Sequence, residues 1–73
     1  MTLRDYFIER FKNLTEAEYR ELNEDVFIPV TDPLMNKGVV VKIMGGEYRL
    51  RWDSGDDQIF HTRGANAKEL IVQ

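Results

Sequence analysis

The chain has one serine, Ser54, and one histidine, His61, a pair from which a hydrolytic dyad could be assembled. Nucleophilic catalysis needs a hydroxyl beside a base, and a third group to orient the base. Ser54 lies in a glycine turn and His61 in the run that follows, so the two could approach across a hairpin. No third residue is placed to hold the imidazole. Asp53, Asp56 and Asp57 with His61 form the second chemical cluster. Close carboxylates attract hard cations, yet DSGDD lacks the spacing and the closing glutamate of a calcium loop. Acids that solvate a turn account for it. Gly45-Gly46 fits neither glycine-rich nucleotide pattern. These residues predict no catalytic group, no metal and no cofactor.

Charge on a strand face offers more. Lys42, Arg49 and Arg51 fall on alternate positions of two β-rich runs, with Arg63 close in sequence to Phe60. Bases beside an aromatic ring suit an acidic protein partner, or single-stranded nucleic acid through stacking and phosphate pairing. The net charge of −3 opposes the second, because dedicated nucleic-acid binders carry a markedly basic footprint. Lys42, Arg49, Arg51, Phe60 and Arg63 are the predicted partner-binding residues. Opposed to them is an acidic segment, Glu16, Glu18, Glu21, Glu24 and Asp25, interrupted by Arg20. Acids near helix starts complement the helix dipole; as a patch they would also steer the chain to a basic surface.

The elements that must position these residues can be read in order. Seventy-three residues make one small domain, with cysteine absent and no apolar run near the length of a membrane helix. The opening MTLRDYFIERFKN lacks the cleavage pattern of a signal peptide. The expectation is a single, monomeric, cytoplasmic domain over 1–73. Leu3, Phe7, Phe11 and Leu14 share a helical face. Thr2 with Asp5, and Thr15 with Glu18, have capping-box spacing. This predicts helices over about 3–13 and 16–22, with Asn23 as a left-handed stop.

From Val26 the pattern is β. DVFIPV reads as an edge strand or a strand end, because Pro29 has no amide to donate. TDPLMNKG is a turn, with Leu34 and Met35 expected to tuck beneath the hairpin. GVVVKIM and EYRLRWD flank Gly45-Gly46, the signature of a two-residue hairpin loop. Pairing Met44 with Glu47 sets Ile43 opposite Tyr48, Val41 opposite Leu50 and Val39 opposite Trp52 on one apolar face. Lys42 then faces Arg49, and Val40 faces Arg51, on the other. A one-residue slip would mix the two sets. After DSGDD, a two- or four-residue turn places Ile59 inside and Phe60 with the arginines; a three-residue turn reverses them. RGANAKEL gives a helical turn, and LIVQ a last strand.

Residues 38–73 resemble the small SH3-like domains of the Tudor and Mib/Herc2 type at Gly38, Leu50, Trp52, Asp53, Gly55, Gly64, Leu70 and Val72. The order of elements predicts an α+β fold, two short N-terminal helices (1–24) and then a five-stranded SH3-like antiparallel barrel (25–73), and the resemblance supports the barrel. It implies little about ligand, since fold and function are separable. In length, acidity and compactness the chain is also similar to small phage proteins that inhibit or antiterminate host RNA polymerase. That likeness implies direct protein binding and no catalysis.

Overall fold

A computed structural model describes residues 1–73. Both predicted capping boxes form. The Thr2 hydroxyl accepts from the Asp5 amide and the Asp5 carboxylate from the Thr2 amide, starting α1 (Leu3–Phe11). Thr15 and Glu18 repeat the exchange at α2 (Glu16–Glu21). Asn23 is not a left-handed stop. Leu22 is already extended, and β1 (Asn23–Thr31) begins at once. β2 (Lys37–Met44), β3 (Glu47–Trp52), β4 (Asp57–His61), the single turn α3 (Asn66–Glu69) and β5 (Ile71–Val72) follow.

The five strands form one antiparallel sheet in the order β4-β3-β2-β1-β5. No ladder joins β4 to β5, so the sheet is not closed. β1 is therefore interior, not the edge strand its proline suggested. It pairs with β5 only at Val30 and Thr31, and Pro29 lies just past that pairing. The proline carbonyl accepts from the Gln73 amide, and its missing donor costs only the reciprocal bond to Gln73, just outside the β1–β5 ladder.

The diglycine hairpin forms as read, with Gly45 and Gly46 at φ of 60° and 82°, the backbone a two-residue loop of this twist requires. Met44 faces Glu47, Ile43 faces Tyr48 and Lys42 faces Arg49. A bulge then intervenes at Val41. Beyond it Val40 faces Leu50, Val39 faces Arg51 and Gly38 faces Trp52. Val40, not Val41, is the buried valine of this strand. β1 bulges at the same level, between Asp25 and Ile28, so the sheet bends sharply there.

One core holds Leu3 and Phe7 of α1 against Ile28, Val30, Val40, Ile43, Tyr48 and Leu50 of the sheet, with Ala67 and Leu70 closing one end. Aromatic rings run through it: Tyr19 meets Phe11, which stacks on Phe7, which meets Tyr48, which meets Phe60, at centroid distances of 5.3, 5.5, 5.3 and 5.7 Å. Such contacts add to the area each ring buries. Trp52 is only half-buried, its Nε1 donating to Gln58 Oε1 at 2.7 Å. Leu34 and Met35 are not tucked under the hairpin; both are exposed, and Met35 has a φ of 67°. Asp32 accepts from the Leu34 and Asn36 amides, so side-chain hydrogen bonds rather than apolar burial shape this loop.

The hairpin tip is buried by α2. Tyr19 lies over Gly46, where a β-carbon would come within 3.1 Å of the tyrosine oxygen. The Tyr19 hydroxyl donates to the Thr62 hydroxyl and lies 3.3 Å from the Gly46 carbonyl. That carbonyl also accepts from the Thr62 amide and hydroxyl, both at 2.9 Å. The Gly45 amide donates to Leu22 at 3.0 Å.

Two stability outcomes follow. Gly46→Ala forces both a left-handed alanine, costing about 1–3 kcal/mol, and a displacement of Tyr19. Gly55→Ala also meets a positive φ, but nothing lies within 4 Å of its β-carbon, so urea unfolding should show the smaller loss there. The Tyr48 hydroxyl is buried with no hydrogen-bond partner, and burial pushes its pKa up to about 12. Removing an unsatisfied buried group relieves a penalty of about 1–3 kcal/mol, so Tyr48→Phe should unfold at higher urea than the parent.

Candidate functional site

The outward face of the sheet carries the predicted cations. Lys42, Arg49 and Arg51 do share it, because Lys42 opposes Arg49 and the two arginines are two residues apart on one strand. Phe60 does not join them. The turn from Trp52 to Asp56 holds three residues, closed by the Trp52 amide on the Asp56 carbonyl at 2.8 Å. This inverts β4. Phe60 turns inward against Tyr48, and Ile59 takes its place opposite Arg49. The loop count was the deciding signal, and the sequence left it open.

Arg63 is also elsewhere. Its guanidinium lies 4.0 Å from the centre of the Tyr19 ring and donates to both Glu16 carboxylate oxygens at 3.0 Å. It pins α2 to the turn after β4, beside the buried hairpin tip.

The remaining cations differ in how committed they are. Arg51 makes a forked contact to Asp57, at 3.0 and 3.2 Å. That contact holds the Asp57 carboxyl below the ordinary 3.8, with Arg49 adding a smaller push. Lys42 reaches Asp25 only at 3.9 Å. Arg49 makes no ion pair at all. The acidic segment is spent in the same way. Glu16 is taken by Arg63 and Arg20, Glu18 by its cap and Glu24 by Arg10. These exposed pairs fix local geometry more than they add stability.

Exposed apolar side chains on the strands were missed. Phe27 is 76% exposed, between the inward Val26 and the buried Ile28 on β1. Ile59 and Met44 are also exposed. Lys42, Met44, Glu47, Arg49 and Ile59 border one shallow depression of about 30 Å³. That is far below a small-molecule pocket of a few hundred Å³, and suits a flat macromolecular contact. Alternation from Ile28 marks Phe27 as outward-facing, so this residue was within reach of the sequence.

The hydrolytic candidates do not converge on an oriented site. Ser54 sits in the turn before β4 and His61 at that strand's far end. The imidazole Nδ1 accepts the Arg63 amide at 3.2 Å, so a backbone donor occupies the position an orienting carboxylate would take. Asp53, Asp56, Asp57 and His61 form no cluster of three or more metal-ligating groups. No helix is long and apolar enough to cross a membrane. Comparison of the chain with protein-family models, curated proteins and solved structures finds no match.

The carboxyls of Glu16, Glu18, Asp32 and Asp57 are all held below their ordinary values by hydrogen bonds. A carboxyl lowered in the folded state stabilises fully above its unfolded value, and that contribution is lost as pH falls through the folded midpoint. Unfolding temperature should therefore fall with acidification below about 4.5. Arg51→Gln should raise the Asp57 midpoint back toward 3.8 in a carboxyl NMR titration. Arg49→Gln should move it less.

Proposed function

We propose that this chain is a non-catalytic protein-binding regulator of the SH3-like class, and that its partner is a bacterial RNA polymerase whose transcription it inhibits or modulates on behalf of a phage. The class rests on the bent antiparallel sheet whose first strand takes both the second and the last, together with the resemblance at Gly38, Trp52, Asp53 and Leu70. The polymerase rests on the likeness in length, acidity and compactness to small phage regulators of that enzyme.

One observation carries the binding role. Exposed Ile59 and Met44 border the same depression as Arg49, an arginine that makes no ion pair within the chain. Aromatic residues, methionine and arginine are enriched at protein interfaces, where a few such anchors supply most of the affinity. Nucleic acid is the less favoured ligand of this face, since the net charge is −3 and dedicated nucleic-acid binders carry a markedly basic footprint. Inhibition by such a module works by occluding a surface or by favouring one polymerase conformation, which needs unequal affinity for the two states.

The immobilised chain should recover polymerase subunits from bacterial lysate at low salt, and the purified chain should lower transcript yield from purified enzyme. Arg49→Glu and Ile59→Glu alter exposed side chains, so both should fold, and each should weaken recovery by at least about tenfold. Recovery of no polymerase subunit removes the partner. Tight, steeply salt-dependent binding to labelled oligonucleotides alone would move the function to nucleic acid.

A further inference from the structure

A second surface lies away from the sheet face. Successive turns of α1 present Arg4, Ile8 and Lys12, and the turn after β4 presents Thr62 and Arg63 opposite them. Together they border an open groove of about 350 Å³ floored by Phe7 and Phe11. Three of the seven bordering residues are cations and none is a carboxylate, in a chain whose net charge is −3. Ile8 is 56% exposed, on a helix whose neighbouring Phe7 is buried. Nothing in the chain covers this apolar side chain.

We propose that this groove docks an acidic peptide segment carrying one bulky apolar side chain between two carboxylates. Arg4 makes no ion pair or side-chain hydrogen bond within the chain. Lys12 and Arg63 are held by Glu9 and Glu16, whose carboxylates lie in solvent outside the groove. Exposed pairs of this kind are weak, so an incoming carboxylate can take over their donors. The Tyr19 ring, 4.0 Å away, holds the Arg63 guanidinium in place before any ligand arrives, which reduces the ordering cost of binding.

The spacing sets the segment. Arg4 and Lys12 are eight residues apart on the sequence, about 12 Å along a helix at 1.5 Å per residue. An extended chain at about 3.3 Å per residue covers that in four steps. The matching pattern is acid, spacer, apolar, spacer, acid, with the central side chain over Ile8 and Phe11. A long polyanion fits less well, because the net charge of −3 repels the strand beyond the groove. This inference does not depend on the polymerase reading, which Arg49→Glu and Ile59→Glu test on the other face.

The test is a proton–nitrogen NMR titration of the full chain with an end-capped peptide Glu-Ser-Phe-Ser-Glu, up to about 5 mM. Saturating shifts should gather at the amides of Arg4, Ile8, Lys12, Thr62 and Arg63. Arg4→Glu places an acid in the first turn of α1, where the helix dipole favours it, so it should fold and bind about tenfold more weakly. Ile8→Ser in the protein, or serine for phenylalanine in the peptide, should weaken binding as much. Three results would each overturn the proposal: no shifts over the whole titration, shifts gathered instead at Arg49 and Ile59, or the same groove shifts from a single-stranded oligonucleotide of equal charge.

Discussion

The architecture depends on one close approach, the Tyr19 ring over Gly46. A hairpin tip is normally a solvated place, and the sequence gives it two glycines for reasons of twist alone. Here the second glycine is also a seat for an aromatic ring. Its carbonyl accepts from the Thr62 amide and hydroxyl, and Tyr19 bonds that hydroxyl, so the tip, α2 and the turn after β4 meet at one place. From that point Tyr19 passes contact to Phe11, Phe7, Tyr48 and Phe60 in turn. The two N-terminal helices are thereby part of the core of the sheet, and a domain of this size has too little buried surface to do without them.

The same junction arranges the charge. Arg63 reaches Glu16 because Tyr19 is where it is, and Arg10 reaches Glu24 because α1 is held against the start of β1. With Arg51 on Asp57, nearly every acid of the acidic segment and most cations of the predicted strip have partners inside the chain. What remains for recognition is small and specific: Arg49 among exposed apolar side chains on the sheet, and Arg4 beside Ile8 on α1. These two spots face different ways, so one small domain offers two contact surfaces with different chemistry.

The readable parts of this fold were those governed by local rules. Capping boxes at Thr2 and Thr15, the diglycine loop, and the inward set Ile43, Tyr48 and Leu50 all follow from neighbours a few residues apart. The misreadings share another cause. The bulge at Val41 leaves no mark in GVVVKIM, where valines suit either face, so the register slips midway. Phe60 and Ile59 exchanged places on the length of one turn, since strand alternation carries a single miscount to every residue beyond it. Pro29 was read as an edge marker because its missing donor was weighed without knowing where β5 stops. Leu34 and Met35 are apolar residues in a loop whose shape Asp32 controls by hydrogen bonds. Arg63 was grouped with the strip by proximity in sequence, while its real partners lie on a helix forty-seven residues away.

Hydrogen exchange in the native state tests the central junction most directly. The Thr62 amide donates to Gly46 and the Gly45 amide to Leu22. If α2 is seated on the hairpin tip, both amides open only when the core opens, and their protection matches that of the Leu50 amide. Exchange of these two amides at the rate of a free turn, while Leu50 stays protected, would show the tip and α2 parting on their own and would contradict the account.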